Sequence, residues 1–314
     1  MPEELPSPEW IAEAIAYGVL LPSVVAGLVI VMTLRASRNP RPARAVGALA
    51  FACGFLSGYA ALCHVFFDKP LWKFEDPWQW LPVWATLAVA ADLVDLPFAK
   101  KPIVGGALRL LVLVAVVFVA AEYLVPQTAA RTPGGAPIAE ARPNLVQATR
   151  LGLLVLWLGL AWAADRVPGG LFPLLLALPA LAGGMVLEAS GSGTYAQLAG
   201  LLAGVLLGCA PLAWWKPGRP FVRGMVPGIV VVLSGLMLNG FLDTLVPVPL
   251  TSYLLVAAAP LALLVGAVPA VRRLPTRLRS AILASAVLLP LGAAVGLALT
   301  APEETEETTA SAGP

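Results

Sequence analysis

The stretch VAADLVDLPFAKK, residues 89–101, closes a long apolar run and carries two aspartates, Asp92 and Asp95, among side chains typical of hydrocarbon-buried helix. A charge left alone in a bilayer core is costly, so each aspartate needs a partner or water. The turn that follows holds Lys100 and Lys101, with Pro97 and Pro102 placed to end one helix and begin the next. Asp92 lies eight residues before Lys100, and Arg109 lies eight after Lys101. At 1.5 Å of rise per residue both sit about 12 Å along their helices, level in an antiparallel hairpin. The expectation is an intramembrane ion pair between Asp92 and Arg109, with a proton or cation relay as the alternative use of the same groups. Asp95, three residues on and on the same helix face, is expected to reach Lys100, Lys101 or water.

The rest of the chain has the character of that run. Hydrophobic residues make up 59% and charged residues 12%, with a mean hydropathy of +0.85, whereas about a quarter of the residues of soluble domains are charged. A span of about 20 apolar residues crosses the hydrocarbon layer. Ten segments qualify: 11–34, 45–67, 80–98, 103–125, 145–164, 171–189, 194–215, 221–242, 250–271 and 280–300. The expected fold is an all-α polytopic transmembrane helix bundle, one helical domain over 1–300, followed by a disordered acidic tail, 301–314.

Orientation follows from the cations, because cytoplasmic connections carry the positive excess. Of the 20 lysines and arginines, fifteen fall in or beside the odd-numbered connections: Arg35, Arg38, Arg41, Arg44, Lys100, Lys101, Arg109, Arg166, Lys216, Arg219, Arg223, Arg272, Arg273, Arg277 and Arg279. The other side holds Lys69, Lys73, Arg131, Arg142 and Arg150, together with Glu3, Glu4, Glu9, Asp68, Glu75, Asp76, Glu140 and the tail glutamates. Both termini are therefore expected to be extracytoplasmic. The opening MPEELPSPEW lacks the basic region of a signal peptide, so the first apolar run is expected to stay as an anchor. A plasma (inner) membrane of a bacterium suits the Ala, Gly, Pro and Arg-rich composition.

Several polar and structural features stand out from this background. Cys53, Cys63 and Cys209 lie inside apolar runs and are expected to be packing residues. The second connection, with Trp72, Phe74, Trp78, Trp80 and nearby Trp84 among charges, reads as an interfacial anchor, or alternatively as an aromatic platform for a sugar or cation. His64, Glu122, Glu188 and Asp243 recur at the outer ends of the even spans; if those ends converge they form an outer cation or proton site, and otherwise they snorkel to water. Gly235, Asn239 and Asp243, spaced by four, put a small polar stripe on span eight, bordering a cavity or bonding a neighbouring helix. Pro22 to Gly27 in span one and Pro179 to Gly184, including Gly183, in span six are expected to break their helices beside a cavity. They would open two inverted five-helix halves, 11–164 and 171–300. Gly200, Gly204 and Gly208, with Gly54 and Gly58 and with Gly292 and Gly296, read as close-packing stripes.

Missing motifs narrow the function. The chain has no Walker loop, no H-E-x-x-H and no G-x-S-x-G elbow, and no basic patch beyond the topogenic arginines. No cofactor, metal or nucleic acid is expected; the expected partners are the lipid bilayer and a small-molecule or ion substrate. The leading expectation is a small permease, in which Asp92, Arg109, Asn239 and the broken parts of spans one and six border one cavity. A non-transporting scaffold would seal those groups in pairs. A membrane-embedded enzyme would bring His64, Glu122, Glu188 and Asp243 into one pocket.

Overall fold

The structure, a computed structural model, describes residues 7–36, 43–67, 70, 74–98, 100–125, 138–167, 170–215 and 221–300. The acidic tail 301–314, the loop 126–137, Glu3, Glu4, Arg38, Arg41, Asp68, Lys69, Trp72, Lys73, Arg131, Lys216 and Arg219 lie outside the described residues. Among the described residues ten helices are long and apolar enough to cross a membrane: α1 (Pro8–Arg35), α2 (Ala43–Phe67), α3 (Pro77–Phe98), α4 (Pro102–Leu124), α5 (Glu140–Ala164), α6 (Leu171–Ala189), α7 (Gly193–Trp215), α8 (Phe221–Leu242), α9 (Leu250–Ala267) and α10 (Thr276–Leu299). The chain is a multi-pass, all-α membrane protein. An even number of crossings returns it to its starting side, called the terminal face below; the other side, where the arginine-rich connections lie, is the basic face.

Burial ranks the helices. In α8, 83% of the most apolar window is buried, against 22% in α1 and α4, so α8 is the axis and those two belong to the rim. Around α8 pack α2, α3, α5, α7 and α9. Glycine makes the closest approaches possible. A Cβ on Gly47 would fall 1.8 Å from the Phe221 carbonyl oxygen, and one on Gly224 would fall 2.1 Å from that of Arg44, so α2 and the start of α8 touch backbone to backbone. Along α7, Gly204 and Gly208 meet the carbonyls of Val19 and Ser23 in the same manner. The Ser23 hydroxyl lies 2.6 Å from the Gly204 oxygen, adding a polar tie to that seam.

Local winding departs from the expectation in four helices. The prolines of spans one and six do not interrupt their helices. α1 absorbs Pro22 with a single π turn, Ala16–Leu20, which gives room to the Gly18 carbonyl that the proline ring would crowd and that Pro22, lacking an N–H, cannot bond. Pro179 sits buried within an unbroken α6. In α3 the regular helix stops early, at Ala91, and continues as turns and a short 3-10 segment, Leu96–Phe98. Asp92 is thus a C-cap, and Asp95 follows in the turn region instead of sharing a helix face with it. Pro97 accounts for this, since its ring and missing N–H disfavour α-helix in the preceding turn. In α9 the second half, Ala259–Ala267, winds as 3-10 helix from Pro260 onward, and a separate short helix, Pro269–Arg272, takes up the remainder expected of that span.

Candidate functional site

At the basic face, arginines are committed to oxygen atoms of neighbouring helices. Arg109 on α4 donates from Nε to Asp92 Oδ1 at 2.7 Å and from Nη2 to the same oxygen. Asp92 is fully buried, and its Oδ2 has no hydrogen-bond partner among the described residues. The second aspartate does not turn to Lys100 or Lys101: Asp95 binds Arg44 of α2, a residue read from sequence as topogenic only. Both carboxylates stand at the C-terminal end of a helix, where the dipole is negative, so cationic partners offset an unfavourable placement as well as desolvation. Arg223 at the start of α8 reaches both oxygens of Asp165, at 3.0 and 2.8 Å. Arg279 of α10 donates to the Arg166 carbonyl. These contacts tie α3 to α2 and α4, and tie α8 and α10 to the α5–α6 connection.

Between the two faces the central helices are filled with apolar side chains. Phe51 and Phe55 stack with centroids 5.7 Å apart, Gly228 abuts Phe51 and Val89, and Gly235 abuts Leu81 and Leu124. Asn239 is buried and donates 2.8 Å to the Gly235 carbonyl in its own helix; its Oδ1 is unpartnered among the described residues. The residues expected to line a central cavity have close neighbours on other helices. Gly27 faces Gly208, Gly183 faces Met237 and Val256, Gly184 faces Ala196 and Ala199, and Pro22 lies against Gly54 and Gly58. These positions lie at helix seams because small side chains there let backbones approach.

The terminal face is built differently. Its four expected polar residues do not converge, and among the described residues no group of three or more His, Cys, Asp or Glu could hold a metal. Glu122 is consumed by α5, where Arg150 donates to Oε1 at 2.6 Å and Arg142 to Oε2 at 3.1 Å. His64 is exposed, and Glu188 is exposed beside Gly193. Of the four, Asp243 lines a pocket found among the described residues, and its carboxylate companion there is Asp76, which the sequence reading left in a loop. This pocket, of about 290 Å³, is lined by Phe67, Asp76, Pro77, Trp78, Thr194, Tyr195 and Asp243, so it lies where α2, α3, α7 and α8 end together.

Local structure explains how such distant residues are held. The α6–α7 turn is a Schellman motif: Gly191, with φ +76°, donates to the Glu188 carbonyl at 2.9 Å and Ser192 donates to that of Leu187 at 2.9 Å. That places Thr194 and Tyr195 at the start of α7. The Ser190 carbonyl accepts from Leu245 and Val246 N–H at 3.0 and 3.1 Å, and Ser192 Oγ donates to the Asp243 carbonyl at 3.1 Å, fastening the end of α8 to the same turn. Across the pocket, Gln79 Oε1 accepts from Glu75 and Asp76 N–H at 2.6 and 3.0 Å, fixing the entry to α3. Trp78 is buried and meets Phe67 nearly edge-on at 4.9 Å. Partial burial and, secondly, the charge of Asp76 push the Asp243 carboxyl above its ordinary pKa.

A second cavity, of about 310 Å³, lies within the membrane layer between α5, α8 and α9, with Leu153, Leu156, Met237, Phe241 and Leu254 in its walls. No charged residue lines it, so its chemistry is that of a lipid chain. No protein-family model and no curated protein matches the chain.

Proposed function

We propose that this multi-pass membrane protein is a permease for a small solute, loaded at the terminal-face pocket and closed at the basic face. The observation that carries the reading is the asymmetry of one set of helices. α2, α3 and α8 help frame an open polar pocket at one end, while at the other end each contributes a residue to a cross-helix Arg–Asp contact. Alternating access needs a site open to one side with the opposite path shut by contacts that can exchange. By the positive-inside rule the basic face is cytoplasmic and the pocket opens outside, in a plasma membrane.

Cysteine accessibility in a background lacking Cys53, Cys63 and Cys209 tests this. Asn239→Cys, beneath the pocket, is expected to react from the terminal side in cells. Ala88→Cys, buried in α3, is expected to be protected in an otherwise unchanged chain and to react from the basic side once Asp95→Asn releases Arg44. Both positions staying unreactive from both sides, with and without Asp95→Asn, would defeat the permease reading. That outcome favours the second reading, a membrane scaffold, which is supported by the sealed ion pairs and by the lightly buried rim helices α1 and α4.

A further inference from the structure

We propose that the cavity between α5, α8 and α9 binds a lipid-soluble carbonyl compound, whose oxygen accepts a hydrogen bond from Ser234. The proposal goes beyond the permease reading and does not rest on it. The cavity is a wedge that opens to the bilayer. Toward the basic face α5 and α9 touch, since a Cβ on Gly159 would fall 2.8 Å from Leu261. Toward the terminal face a space of about 310 Å³ separates them, floored by Ser234, Met237 and Phe241 of α8. Its outer edges, Ala148, Gly152 and Leu254, are exposed and so face hydrocarbon. No atom lies within 4 Å of a Cβ built on Gly152, whereas Gly204 and Gly208 meet backbone. An occupant therefore enters sideways from the membrane.

The hydroxyl of Ser234 gives the site its chemistry. Hydroxyls in these helices otherwise return to the carbonyl four residues back, as Ser23 does to Val19 and Thr149 to Leu145, each at 2.7 Å. Ser234 Oγ is buried and has no hydrogen-bond partner among the described residues, although buried polar groups are normally satisfied. A trapped water does not resolve this, because a buried water needs about two to four polar partners. The Thr149 hydroxyl is already donated, and that of Tyr253 lies toward Ser190 and Thr244. What remains is one O–H donor on an apolar wall.

Depth and proton count select the partner. Ser234 lies eight residues before Leu242, the end of α8, and so about 12 Å inside it, in a hydrocarbon half-layer of about 15 Å. A phospholipid keeps its ester groups near the boundary and offers only methylenes at that depth. A carbonyl carried on a smaller apolar frame reaches Ser234. It accepts the free O–H and brings no donor of its own, whereas an alcohol would leave one O–H unused. The volume is at the lower end of small-molecule pockets, which suits a chain of medium length.

The probe is 2-undecanone labelled with carbon-13 at the carbonyl, set against undecane, with the full chain in detergent micelles. Infrared difference spectra are expected to show a saturable carbonyl band at lower frequency than in empty micelles, because the hydrogen bond weakens the C=O. Undecane fits the same walls and is expected to displace the ketone only at about ten-fold higher concentration, the worth of one hydrogen bond. Ser234→Ala removes the donor and should return the bound band to its free frequency. Gly152→Leu puts a side chain into open space and should abolish binding with an unchanged thermal transition. No displaced band, a displaced band that survives Ser234→Ala, or full binding in Gly152→Leu would each overturn the proposal. So would equal competition by undecane, which would make the occupant a plain lipid chain.

Discussion

The two ends of the central helices solve the problem of charge near a membrane in opposite ways. At the basic face Asp92 is fully buried and Asp95 largely so, and each is held by an arginine from another helix. At the terminal face Asp243 remains exposed, its closest charged influence is another carboxylate, and the walls are aromatic. The first arrangement has satisfied its electrostatics within the chain and acts as a clasp. The second sets the carboxylates Asp76 and Asp243 on one open pocket. Which of the two arrangements a charged residue joins is set by the neighbouring helices, which sequence position alone does not reveal.

The sharpest break in the comparison comes from Arg109→Ala. Removing the guanidinium strands Asp92, whose side chain has no exposure, and the loss should be about 3–5 kcal/mol, as for other buried pairs deprived of one partner. It should appear as a sharp fall in the unfolding transition in micelles. Arg109→Ala with Asp92→Ala is expected to recover more than half of that loss, because the double variant leaves no buried charge. Failure of the double variant to recover would mean that Arg109 acts through packing, and the clasp would not be electrostatic.

Away from both ends, Gly208→Val tests whether the apolar middle is as tightly sealed as its seams indicate. A Cβ there would fall 2.2 Å from the Ser23 carbonyl oxygen, so α1 must move off α7 at a cost of about 3 kcal/mol, at the upper end for overpacking. A near-neutral result would show that α1 is a loosely held rim helix. Smaller still is Asp95→Asn. The Arg44–Asp95 side chains are 17% and 21% exposed, so water softens the loss to about 1 kcal/mol. That modest cost suits a contact that must open during a transport cycle.

How much of this was legible beforehand depended on range. The ten helices were readable because a crossing needs only a sustained apolar composition over its own length. The Asp92–Arg109 pair was readable because Pro97, the lysines and Pro102 fix a short hairpin and so a register. The Arg44–Asp95 pair spans 51 residues, and the Asp76–Asp243 pocket joins helices that no local rule makes neighbours. The turn that carries Thr194 and Tyr195 had a signal in Gly191 and Gly193, but nothing local says what it faces. The expected breaks at Pro22 and Pro179 failed for the opposite reason: proline removes a hydrogen bond, yet a π turn or a packed neighbour can absorb the defect without unwinding the helix.

The smallest expected effect is also the one most specific to the open end. With its carboxyl above the ordinary value of 3.8, Asp243 keeps its proton to higher pH in the folded chain than in the unfolded one. Below that value both states are protonated and the residue contributes nothing to the pH dependence. As pH rises from about 3.8 through the folded value, the unfolded chain ionises first, so stability falls across that window and is level above it. Asp243→Asn cannot ionise, so relative to it the wild-type transition should fall across the window and stay lower above it. If the two transitions track each other at every pH, Asp243 is as well hydrated as a surface carboxylate. The two ends would then differ only in exposure, with no site built into the open one.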